Sequence, residues 1–156
     1  MTSTLYQILL WTITIIFLGR ILAQVFVGIY SPSYLPKMEM WYSGLLPYPI
    51  LLTYQMFMYT CMVIFNFCLL MGRGPLFLVL NNKVSIYYIY FGITYFSLMV
   101  IRFIIHKIKE PEITWPRGSI PIFFHFFLAL YIILLGSYSY FKVEILSWYD
   151  FPFRWQ

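Results

Sequence analysis

Charge is what this sequence has least of. Only 10% of its 156 residues are Asp, Glu, Lys or Arg, against about 25% in an ordinary soluble domain. A water-soluble domain of this size needs a polar shell, and the residues to build one are missing. Most of the surface must therefore face lipid. Acid is scarcer still: Asp150 is the only aspartate, so Asp-based proton relays and paired-carboxylate chemistry have no support. The two cysteines, Cys61 and Cys68, fall in one apolar run. On one helix they would lie about 10 Å apart in rise, too far for a disulfide. No P-loop, GxGxxG, HExxH or CxxC motif occurs, which removes the usual signatures of nucleotide, zinc and dithiol chemistry.

What the chain does have is apolar and aromatic. Hydrophobic residues make up 62% and aromatic residues 23%. Trp and Tyr suit a membrane–water interface, because one end of the ring is apolar and the other hydrogen-bonds. The net charge is +5, but no basic stripe with interleaved aromatics stands clear of the apolar runs. The excess fits loop Lys and Arg facing anionic headgroups rather than nucleic acid.

Four apolar runs are long enough to cross a bilayer: Leu5–Tyr30, Pro49–Met71, Ile86–Ile105 and Ile120–Phe141. About 20 residues span a hydrocarbon core of about 30 Å. None alternates at period two, so the runs read as helices rather than barrel strands. The first run lacks a cleavage motif and is too long for a signal-peptide core, so it is expected to be retained. The expected architecture is one all-α domain, a polytopic four-transmembrane-helix bundle over residues 1–156, placed as a multi-pass protein in the cell (inner) membrane or an organellar inner membrane.

The connections differ in character. Loop 1, Ser31 to Tyr48, carries Pro32, Pro36 and Pro47 with Glu39, Trp41 and Gly44, and its Trp and Tyr are expected to anchor at headgroup level. Loop 2 includes the apolar stretch Pro75–Leu80, too short to span and suited to the interface. Loop 3, His106 to Ser119, holds Lys107, Lys109, Glu110, Glu112 and Arg117. Beyond Lys142 a tail with Trp148, Tyr149 and Trp155 reads as an interfacial anchor. Loops 1 and 3 share one side of the membrane. The cations after the third run tip that side toward the cytoplasm.

Polar side chains inside a span are costly, about 2.5–3.5 kcal/mol for a central Arg on insertion scales, so they carry the functional information. They are Arg20 and Gln24 in the first helix, Gln55 and Asn66 in the second, Arg102 in the third and His125 in the fourth. At about 1.5 Å of rise per residue, Gln24, Gln55, Arg102 and His125 lie at similar depth, about 6–9 Å in from the loop 1 and 3 side. Arg20 is one turn deeper on the face of Gln24, and Asn66 belongs to the opposite half. The spacing predicts a polar pocket under loops 1 and 3, with Arg20, Gln24, Gln55, Arg102, His125 and Arg117 as ligand-binding residues. Arg and amides favour an acceptor such as an anionic headgroup, a carboxylate or a quinone carbonyl. The competing reading is structural: the amides and His125 bond across helices, while Arg20 and Arg102 snorkel to water. Arg20 resists it, lying about 15 Å from the nearer end of its helix.

Three function classes remain. The favoured one is an accessory or binding subunit that holds a lipid, quinone or isoprenoid-like ligand, alone, as a homo-oligomer or with other membrane subunits. The second is a small membrane enzyme on a lipid-like substrate, with Glu39, His106 or His125 as acid–base groups. The third is an oligomeric transporter or channel. A haem or metal held by His106 and His125 is a further reading, with no nearby cysteine or clear third ligand beside them.

Overall fold

The computed structural model describes residues 3–41, 47–71, 82–109 and 119–149, with side chains described for 4–38, 40–41, 47–71, 84–109 and 120–141. Five helices account for nearly all of this: α1 (Ser3–Tyr30), α2 (Met38–Trp41), α3 (Tyr48–Met71), α4 (Asn82–Lys109) and α5 (Ser119–Tyr149). Four of them are long and apolar enough to cross a membrane, and no strand occurs among the described residues. The chain is an all-helical, multi-pass membrane protein.

The helices outrun the apolar segments. α4 starts at Asn82 and ends at Lys109, and α5 continues to Tyr149. Residues 82–85, 106–109 and 142–149 contain no proline or glycine, so the helical backbone bonding continues through them. His106, Lys107 and Lys109 thus form the last turn of α4 rather than loop, where cations complement the helix dipole. The segment 142–149, expected as tail, is the end of α5. The stretch Pro75–Leu80 and Trp155 lie outside the described residues.

α1 ends at Tyr30, and Ser31 takes a left-handed conformation with φ of 43°. Its amide donates to the Val27 carbonyl at 3.0 Å and its hydroxyl reaches the same carbonyl at 3.3 Å, closing the helix before Pro32 prevents its continuation. At the start of α3, Pro49 lies in the first turn, where its missing N–H leaves no bond unmade.

α1 is the central helix and packs against both α3 and α5. Tyr6, Leu10, Ile13, Phe17, Arg20, Gln24 and Val27 are all buried, alternating steps of four and three, which is the seam of a helix packed along its length. On α3, Gln55, Met62, Asn66 and Leu69 are buried at related spacing. The apolar core joins α1, α3 and α5 through residues such as Leu10, Met62 and Leu135.

α4 stands outside this core and packs along α5. Its only buried residues among those described are Ser85 and Gly92, seven apart. A Cβ at Gly92 would lie 2.6 Å from Ile133 Cγ1 and 3.1 Å from its backbone nitrogen. A Cβ at Gly136 on α5 would lie 2.8 Å from the Ser85 carbonyl oxygen. Small residues let two backbones approach in lipid, where burial of apolar side chains gives no drive to associate. Much of the rest of α4, including Tyr87, Tyr90, Phe91 and Leu98, is exposed to the surroundings. The bundle is therefore three core helices with a fourth docked on one of them.

Candidate functional site

In the half near loops 1 and 3, α3 and α5 lean on α1 and leave a cavity of about 290 Å³. Leu51, Tyr54, Gln55 and Met58 wall it from α3, and Pro121, Phe124, His125 and Leu128 from α5. Both sets follow the same i, i+3, i+4, i+7 spacing, the signature of one helix face. Phe17 and Arg20 on α1 form the floor. Tyr54 lines the cavity and yet is 62% exposed, so the cavity meets the lipid-facing surface between α3 and α5.

Three of the six predicted ligand-binding residues, Arg20, Gln55 and His125, line this cavity together. Arg20 does not snorkel. It is only 7% exposed, its guanidinium sits 5.1 Å from the Phe124 ring centroid, and its Nε has no hydrogen-bond partner. A cation over a ring is worth about 0.5–2 kcal/mol, less than an intramembrane Arg costs on insertion scales, about 2.5–3.5 kcal/mol. Gln55 is 6% exposed, and neither its oxygen nor its nitrogen has a partner. A buried polar atom left unsatisfied costs about 1–3 kcal/mol, so the Gln55 amide is an expensive feature of this wall. His125 does bond across helices: its Nδ1 is 2.5 Å from the Tyr95 hydroxyl of α4. That leaves Nε2 as the nitrogen available to another partner.

The other three predicted residues fall elsewhere. Gln24 is fully buried, and its Nε2 donates to the Trp41 carbonyl at 3.3 Å. It faces α2 instead of the cavity. Trp41 is not a headgroup anchor: it is 8% exposed and its indole N–H donates to the Pro36 carbonyl at 3.0 Å. The short α2 folds back onto α1 and α5, and Gln24 donates to the carbonyl of its last residue. Arg102 lies partly exposed on α4 and does not line the cavity. Arg117 lies outside the described residues, as do Glu110, Glu112 and the Glu39 side chain. His106, in the last turn of α4, is not a cavity residue either. Among the described residues no group of three His, Cys, Asp or Glu side chains could hold a metal. Cys61 and Cys68 are free thiols on α3.

Asn66, in the opposite half, belongs to a closed network. Its Nδ2 donates to Thr14 Oγ1 at 2.9 Å, and Thr14 Oγ1 donates to the Leu10 carbonyl at 2.8 Å. The Tyr131 hydroxyl shares its proton between Asn66 Oδ1 at 2.9 Å and the Met62 carbonyl at 3.1 Å. This is polar glue between α1, α3 and α5. In the cavity, by contrast, Arg20 Nε and both Gln55 amide atoms are buried without partners.

The aromatic and apolar walls, and Tyr95, were not among the predicted site residues. The matched spacing around Gln55 and His125 was the available signal: 51, 54, 55 and 58 on one helix, and 121, 124, 125 and 128 on the other. Compared with known protein families, curated proteins and solved structures, the chain matches none of them.

Proposed function

We propose that this chain is a ligand-binding membrane protein, an accessory subunit of the cell membrane that holds a lipid, quinone or isoprenoid-like molecule by its headgroup. The observation that carries the reading is the cavity whose buried walls keep hydrogen-bonding capacity unspent: Arg20 Nε and both amide atoms of Gln55. Among the described residues five buried side-chain polar atoms have no partner, and three of them belong to this cavity, the others being Gln24 Oε1 and the Tyr48 hydroxyl; Thr14, Asn66 and Tyr131 are bonded. A cavity of about 290 Å³ lies at the lower end of ligand pockets, about 300–1,000 Å³. Its apolar walls with a few convergent polar groups are the usual composition of such sites.

The test is native mass spectrometry of gently solubilised protein alongside Gln55→Met. The wild-type chain is expected to carry a co-purifying amphiphile. Gln55→Met is expected to carry less of it, while the ligand-free protein gains about 1–3 kcal/mol from losing two unsatisfied buried atoms. A clean wild-type monomer, or undiminished ligand on the variant, would count decisively against the proposal. A lipid-active enzyme at the same cavity is the second reading, favoured by Tyr95 holding the His125 ring in a set orientation as a general acid–base group would need. It predicts that His125→Gln abolishes turnover while leaving ligand occupancy in place.

A further inference from the structure

The proposed site also has a sign. Arg20 cannot lose its proton under ordinary conditions, so the floor of the cavity carries a full positive charge. It is 7% exposed, and no carboxylate is among the described residues that line the cavity. Intramembrane charges are stable when paired with an opposite charge or with acceptor groups. The Phe124 ring over the guanidinium stabilises a cation without neutralising it. The unpartnered Gln55 amide on the facing wall adds a donor, and Nε2 of His125 can add another once Tyr95 holds Nδ1. A neutral carbonyl would satisfy these donors and leave the charge unmatched. An oxyanion satisfies both, through charge-assisted bonds roughly twice as strong as neutral ones.

Shape restricts the occupant further. A volume of about 290 Å³ takes a small headgroup and the first methylenes of one chain. The cavity reaches lipid beside Tyr54, between α3 and α5. Resting on the binding reading above, we propose that the ligand is a single-chain lipid anion, with a carboxylate or phosphate headgroup. It enters sideways between α3 and α5, sets its headgroup on Arg20 and Gln55, and trails its chain past Tyr54 into the bilayer.

The experiment uses the full chain, delipidated in a non-ionic detergent. It measures saturable binding of four probes: oleate, dodecyl phosphate, oleyl alcohol and a short-chain quinone. The expected result is that one or both anions bind at least about tenfold more tightly than the alcohol, as a charge-assisted bond implies. Arg20→Gln should abolish that preference and Arg20→Lys should keep part of it. The stronger anion tells carboxylate from phosphate. A diazirine placed on the chain of the preferred anion should label Tyr54 or Leu128. Equal binding of alcohol, quinone and anions to the wild-type protein overturns the charge assignment while leaving the binding reading intact, and needs no variant to fold. Binding of none of the four overturns both. Labelling confined to α4 overturns the lateral entry.

Discussion

The docking of α4 on α5 depends on Gly136, and the cost of filling that position can be worked out. A Cβ there would meet the Ser85 carbonyl oxygen at 2.8 Å, Ile89 Cγ1 at 3.0 Å and Tyr88 Cβ at 3.0 Å. Carbon contacts are comfortable at about 3.5–4.0 Å. Ser85 contributes a backbone atom, so no side-chain rotation relieves the clash and α4 itself must retreat, by roughly 0.5–1 Å. Overpacking of this kind costs about 1–3 kcal/mol, while replacing Gly by Ala within a helix returns about 1 kcal/mol in propensity. Gly136→Ala should therefore destabilise the protein by about 0–2 kcal/mol. Gly19 is the internal control, because a Cβ there meets nothing within 4 Å, and Gly19→Ala should stabilise by up to about 1 kcal/mol. The difference between the two variants isolates the steric contribution, about 1–3 kcal/mol. Reversible unfolding of both variants in the same mixed micelles, followed by circular dichroism, reads this difference directly. If the two substitutions shift stability in the same direction by the same amount, the close α4–α5 approach is refuted.

Two further outcomes follow from the hydrogen bonds. A double-mutant cycle on Tyr131→Phe and Asn66→Leu should show a coupling of about 0.6 kcal/mol, and at most about 1.7, the range found between membrane helices; additive effects in the same unfolding assay would mean that the Tyr131–Asn66 bond contributes nothing. Gln24→Leu removes the donor to the Trp41 carbonyl, a bond worth about 1 kcal/mol, so a cysteine at Met38 should react with a water-soluble maleimide about five times faster in that background. An unchanged rate would show that α2 is held by other contacts.

The apolar runs place the four long helices, because a chain with so little charge has only lipid to face and only helices satisfy their own backbone there. The polar intramembrane residues could be named from the same reasoning, since each is expensive enough to need a cause. Their partners could not. Arg20 and Gln24 share a helix face and looked equivalent, yet one lines the cavity and the other bonds to Trp41. Helical spacing assigns a direction around the axis but not what stands opposite. Asn66 shows the same limit, because its partners Thr14 and Tyr131 are 52 and 65 residues away in sequence.

What the sequence determined by itself, then, was the solvent, the helices and the short set of residues from which a site could be made. Tertiary structure alone decided that Arg20, Gln55 and His125 meet while Arg102 does not. The reason is packing: Ser85 and Gly92 dock α4 on α5 rather than on α1 or α3. Arg102 therefore stays out of the cavity lining, and the gap between α3 and α5 opens beside Arg20, the deeply buried cation among the described residues.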